Sequence, residues 1–277
     1  MDYDADGRTD IITGSYTGQL YLFRRKADGT FAAREELVDE TKETLMMPKY
    51  SVVPELVDMD KDGDLDLVVG ARSDPVLVVT NVGTRAAPVW SKTFKELETA
   101  KGETIQGSNV HHADWDGDGL RDILVGSEFG EVRWYKNLGA NDAPRYAQPI
   151  VLVAQDNSQY AAEGSTPGRS GLRVKLHVTD WNGDGRVDLL LGDVTWQQST
   201  PNPLTAAETE AKVALEKARD ALFEKMRKVP AGPERDKLQA SVDEHQKKLR
   251  AYNRTKLHTH GWVWLYLRRP GPEKGAR

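Results

Sequence analysis

The chain has 277 residues, 38% of them apolar, and a formal net charge of −5, enough for one or two domains with a hydrophobic core. The acidic excess argues against nucleic acid as main partner, because phosphate binding needs a basic face. No apolar run reaches the roughly 18 residues a membrane span needs, residues 1–20 show no signal-peptide pattern, and the lack of cysteine excludes disulfides and thiolate metal sites.

Met1 is followed at once by Asp2, which opens the segment DYDADGRTDIITG at residues 2–14. A domain seldom begins inside such a loop. The chain is therefore expected to be a piece of a longer protein or to start late, with its first repeat lacking an opening strand. The segment returns as DMDKDGDLDLVVG (58–70), DWDGDGLRDILVG (114–126) and DWNGDGRVDLLLG (180–192), at spacings of 56, 56 and 66 residues. Just past the closing glycines come GQLYLF (18–23), DPVLVV (74–79) and GEVRWY (130–135), with the alternating apolar pattern of strands. Residues 81–88 and 137–144 share an N-x-G-x-x-x-A-P turn, after which Trp90 and Tyr146 are expected to open an outer strand. One more strand precedes each later loop, at 51–57, 109–113 and 172–179. Each unit thus holds about four short strands, the content of a propeller blade.

The fourth unit is interrupted. The strand due soon after Gly192 comes instead at Gly261, as GWVWLYL. The intervening stretch reads as two antiparallel helices with coiled-coil-like pairing. Thr205 and Glu208 form a capping box. Leu215, Ala218, Leu222, Met226 and Val229 make one apolar stripe, and Leu238, Val242, His245, Leu249 and Tyr252 the other. The expected organisation is blades over 1–194, a helical hairpin insertion over 195–258, a returning strand at 259–269 and a tail at 270–277. The hairpin pairs with itself, or serves as a docking arm.

The loops carry Asp at positions 1, 3, 5 and 9 and Gly at position 6. Calcium is a hard cation that takes about six to eight oxygens. Four carboxylates and the carbonyl of position 7 supply them, and Gly permits the bend. The candidate calcium ligands are Asp2, Asp4, Asp6, the Arg8 carbonyl and Asp10 in the first loop. In the second they are Asp58, Asp60, Asp62, the Asp64 carbonyl and Asp66. Asp114, Asp116, Asp118, the Leu120 carbonyl and Asp122 make the third set. Asp180, Asn182, Asp184, the Arg186 carbonyl and Asp188 make the fourth, with one charge fewer at Asn182. An EF-hand would need Glu at position 12, which here is Thr13, Val69, Val125 or Leu191.

These loops and their flanking strands resemble the FG-GAP and VCBS repeat family, which includes the propeller of integrin α subunits. The resemblance covers most of the chain outside residues 195–258. It implies an all-β fold, a β-propeller with four recognisable blades and an inserted α-helical hairpin. Calcium would sit between the first and second strands of each blade, in an extracellular or periplasmic setting. The G-A-P ending of the integrin form is reduced to Gly70-Ala71 in one copy and absent from the others. The D-W-D/N-G-D-G phrasing, with GWVWLYL, looks like bacterial secreted repeat proteins. The leading expectation is a calcium-stabilised, non-catalytic module for a protein or glycan partner. Its ring would be completed by another chain or by preceding blades.

Three residues before the later loops stand Glu55, His111 and His177, at equivalent places on successive first strands that would line a propeller's central channel. They are either ordinary polar positions beside water or the centre of a metal-assisted, lyase-like enzyme acting on polysaccharide. Loop position 2 holds Tyr3, Met59, Trp115 and Trp181. Packing between blades explains four large apolar residues there, and sugar stacking by exposed Trp is the alternative. His258 and His260 read as loop residues beside the returning strand.

Overall fold

The computed structural model describes residues 1–155, 160–162, 164–165, 171–230 and 232–269. The expected tail at 270–277 lies outside them. Two compact units emerge, one of residues Met1–Gln159, Thr166–Thr195 and His260–Arg277, the other of Tyr160–Ser165 and Trp196–Thr259.

Three of the four sheets are β-meanders. Strands β1 (Ile11–Gly14), β2 (Leu20–Phe23) and β3 (Glu35–Glu36) form a three-stranded antiparallel sheet. The second sheet has four strands, β4 (Val52–Val57), β5 (Asp66–Ala71), β6 (Leu77–Val79) and β7 (Lys95–Glu96). The third repeats it with β8 (Asn109–Ala113), β9 (Asp122–Gly126), β10 (Val132–Tyr135) and β11 (Ile150–Val153). In the fourth, β12 (Tyr160–Ala162) runs parallel to part of the long β14 (Asp188–Ser199). β13 (Leu172–Thr179) pairs antiparallel with the earlier part of β14, and β15 (Lys256–Tyr266) also pairs with β14.

Strands with apolar residues at every position are explained by sheets stacked face to face. All six residues of β5 are buried. Leu67, Val69 and Ala71 face a core shared with Leu20, Leu22 and Trp90, whereas Val68 faces the next core, with Val110, Ile123 and Tyr146. β9 repeats this, sending Ile123 and Val125 one way and Leu124 the other, against Val174, Leu176 and Leu189. Three cores therefore lie in series between four sheets. A strand with both faces covered has no polar side, which is why its hydrophobic run is continuous.

The closing glycines of the first three loop motifs mark the close approach of neighbouring sheets. A Cβ on Gly14 would sit 2.0 Å from the Val52 carbonyl oxygen, and one on Gly126 would sit 2.9 Å from that of Val174. Backbone cannot yield to such contacts, so only glycine fits.

Two boundaries depart from the sequence reading. Trp90 and Tyr146 do not open outer strands. Each makes two isolated bridges, Trp90 to Asn81 and Asp39 and Tyr146 to Asn137 and Thr99, and β7 and β11 begin later. Both rings are only 2% exposed, so burial in the inter-sheet cores takes the place of ladder pairing. The returning strand begins at Lys256 rather than 259, and β14 runs on to Ser199. Strand therefore occupies both edges of the stretch read as helical.

In the second unit, α1 (Ala206–Arg227) and α2 (Pro233–Arg250) form the hairpin. Thr205 caps α1 by accepting from the Glu208 amide at 3.3 Å, while the Glu208 carboxylate accepts from the Thr205 amide at 2.8 Å. The seam is short: α1 has no fully buried residue and α2 buries only Val242 and Leu249. That falls short of the continuous heptad seam of a coiled coil. Replacing residues 200–255 with a two-residue Asn-Gly turn is expected to leave the sheets folded, because β14 and β15 already pair with each other. Loss of the cooperative thermal transition on that deletion would overturn the expectation.

Candidate metal centres

The four Asp-rich loops share one backbone path. Gly7, Gly63, Gly119 and Gly185 at position 6 have φ of +82°, +96°, +87° and +81°. Position 4 is left-handed too, even where it is Ala5 (φ 59°) or Lys61 (φ 62°). These turns fold the loop so that the carboxylate of position 5 accepts from the amide of position 7. The bond runs from Arg8 to Asp6, Asp64 to Asp62, Leu120 to Asp118 and Arg186 to Asp184, at 2.9–3.0 Å.

The bend gathers oxygens. Asp2, Asp4 and Asp10 each bring one carboxylate oxygen within 4.8 Å of the others, as do Asp58, Asp60 and Asp62, and Asp114, Asp116 and Asp118. In the fourth loop Asn182 uses its amide to donate to Asp184 at 3.0 Å. Among the described residues, buried oxygens of Asp4, Asp58, Asp64 and Asp116 have no hydrogen-bond partner. An unsatisfied carboxylate oxygen is costly, and a hard cation is the group that several converging ones would satisfy. The residues therefore fit calcium.

The loops are not electrostatically equal. Arg24 ion-pairs with Asp4 in the first loop, and Lys136 ion-pairs with both Asp116 and Asp118 in the third. The matching residues for the second and fourth loops are the uncharged Thr80 and Leu267. The second loop thus holds five aspartates with no Lys or Arg ion pair among the described residues. Burial, and then Asp62, Asp66 and Asp60, push the Asp64 carboxyl up to about 6. The first aspartate also differs. Asp114 accepts from the amides of Gly117, Asp118 and Gly119, and Asp2 and Asp180 turn similarly onto their own loops. Among the described residues Asp58 has no such bond, and its Oδ1 is without a partner.

The ninth-position aspartates have a second duty that the motif does not reveal. Asp10, Asp66, Asp122 and Asp188 are at most 5% exposed. In each, Oδ2 accepts from the amide of loop position 2, namely Tyr3, Met59, Trp115 or Trp181. Oδ1 accepts from the amide that follows a later strand of the same sheet, at Arg25, Asn81, Asn137 or Arg268, at 2.7–2.9 Å. Each carboxylate staples its loop to its sheet.

The next sheet then grips the first three loops. Arg85 donates to the carbonyls of Tyr3 and Asp2 at 2.9 and 2.5 Å, Arg121 to that of Asp58 at 2.5 Å, and Arg268 to that of Trp115. Position 2 goes under the same neighbour. The Tyr3 hydroxyl accepts from Trp90 Nε1 at 3.1 Å, Met59 packs in the core that holds Tyr146, and Arg268 stacks over Trp115. Trp181 is 60% exposed and departs from the packing expectation. Nothing in the sequence singled out these arginines, because they sit at unequal places in the repeat.

Glu55, His111 and His177 do come together, on β4, β8 and β13. Glu55 lies 3.2 Å from His111 Nδ1 and 2.7 Å from Nδ1 of His112, and it accepts from the His112 amide at 3.1 Å. Burial alone would raise the Glu55 carboxyl, but His112 and His111 draw it down to about 2. The His111 and His177 rings stand 4.9 Å apart. His112, which the repeat pattern passes over, has a side chain only 3% exposed. His258 and His260 lie on β15 rather than in a loop.

Serial β-sheets, three of them β-meanders and each tied to a D-x-D/N-x-D-G loop, define a β-repeat protein. The chain belongs to the FG-GAP-like repeat family, whose pattern matches residues 2–69 and 114–191, more than half its length. Cartilage acidic protein 1 of Homo sapiens is 26% identical over 191 residues, covering 66% of this chain and 26% of that protein. The Xenopus tropicalis protein of that name is 27% identical over 191 residues, with the same coverage. The chain spans about a quarter of the length of these curated relatives. Among the described residues no helix is long and apolar enough to cross a membrane.

Proposed function

We propose that the stacked sheets are blades of a β-propeller held rigid by calcium, and that it works outside the cell as a non-catalytic module binding a protein or glycan. The second loop carries this reading. Its converging carboxylates, with Asp58 and Asp64 oxygens unpartnered and no neutralising Lys or Arg ion pair among the described residues, are what a divalent cation would relieve. Asp58, Asp60, Asp62 and Asp66, with the Asp64 carbonyl, would hold the ion. Calcium there supplies charge neutralisation and loop order, not chemistry. The setting outside the cell is supported by the family the chain belongs to, and calcium sites of extracellular modules have dissociation constants of about 10⁻⁴–10⁻³ M.

In this reading Lys136 is a tethered rival to calcium in the third loop, so the second loop fills first. Lys136→Thr is expected to tighten the third site by about tenfold, the worth of one charge-assisted hydrogen bond. Calorimetric titration of calcium into both proteins measures this. Heats that show no calcium binding to the wild type would sink the calcium reading, and unchanged affinities in the variant would sink the rivalry.

A further inference from the structure

The geometry points to a second and different metal site, for a divalent transition ion such as zinc, formed by His111 and His177 with Glu55 as the residue that positions His111. It needs none of the aspartates. Two imidazoles bound to one ion at about 2.1 Å, with the ion at the apex of a near-right or tetrahedral angle, place their ring centres about 5 Å apart. The His111 and His177 rings are 4.9 Å apart and inclined by 57°.

The carboxylate decides which nitrogen is offered. A carboxylate oxygen accepts, so the Nδ1 that Glu55 faces at 3.2 Å on His111 is the nitrogen that donates to it. The lone pair of neutral His111 is therefore on Nε2. A carboxylate fixing one imidazole nitrogen so that the other binds metal is the usual support of a histidine ligand. Glu55 is itself held by the His112 amide and ring, at 3.1 and 2.7 Å. The pair also has access to solvent, since His111 retains 22% exposure and His177 lies on the open side of β13. Two neutral imidazoles, with water completing the shell, suit zinc, copper or nickel and not calcium, which prefers oxygen.

The test titrates zinc into the full chain in excess calcium, so that the acidic loops are occupied by a competing ion. Wild type is expected to bind one zinc. His177→Ala and His111→Ala should lose it while keeping the wild-type melting temperature in calcium, and Glu55→Gln should bind about tenfold more weakly. A variant with both His258 and His260 changed to Ala should bind normally. Absence of zinc binding by the wild type overturns the site. So does zinc retained by the His111→Ala/His177→Ala protein, or zinc lost with His258 and His260.

Discussion

Chelating calcium is expected to lower the melting temperature by about 10 °C or more. The second loop concentrates Asp58, Asp60, Asp62, Asp64 and Asp66 without an opposing ion pair among the described residues, and unfolding disperses those charges. In the proposed reading calcium therefore binds the folded chain far better than the unfolded one. At 100 times its dissociation constant each site adds about 2.7 kcal/mol, and about 1 kcal/mol moves the transition of a protein this size by about 2–4 °C. Two filled sites reach the stated shift. Magnesium should rescue poorly, because it demands a tight octahedral shell. Asp62→Ala should reproduce part of the loss, and Asp118→Ala less, because Lys136 already neutralises Asp118 in part. A melting curve unmoved by excess chelator, once metal analysis shows calcium gone, would remove calcium from the account of this fold.

Asp122→Ala should be the most damaging single change in the loops, and calcium should not rescue it. Asp122 is 0% exposed and accepts from the amides of Trp115 and Asn137 and from Trp134 Nε1 at 2.8 Å. Alanine strands three donors, each costing about 1–3 kcal/mol when left unpaired inside the protein. The expected loss is roughly 3–5 kcal/mol, a large share of a typical domain's 5–15 kcal/mol. Asp122→Asn keeps one acceptor and should lose less. Chemical denaturation with and without calcium separates the two duties of this carboxylate. A loss that disappears at saturating calcium would mean that its metal contact, not the staple, dominates.

The repeat and its inner strands were legible because each rests on a local signal. Loop aspartates and glycines keep fixed spacing, and strands β5 and β9 are continuous apolar runs. The outer strands were misplaced because Trp90 and Tyr146 look like strand residues but are buried between sheets. Burial there is decided by the neighbouring repeat, which no local window contains. Arg85, Arg121 and Arg268 were invisible for the same reason, and so was His112. The histidine grouping was partly legible, because equivalent positions on adjacent first strands must lie side by side.

The guanidinium clamps give the row of sheets a direction. Arg121, from the third sheet, holds the second loop, and Arg268, from the fourth, holds the third. A loop that loosens takes support from the sheet after it and not from the one before. Damage to the second loop should thus spread forward, with amide exchange rising in β8–β11 ahead of β1–β3. Calcium in one repeat would act as a keystone for its successor, and the order of the repeats along the chain becomes an order of mechanical dependence.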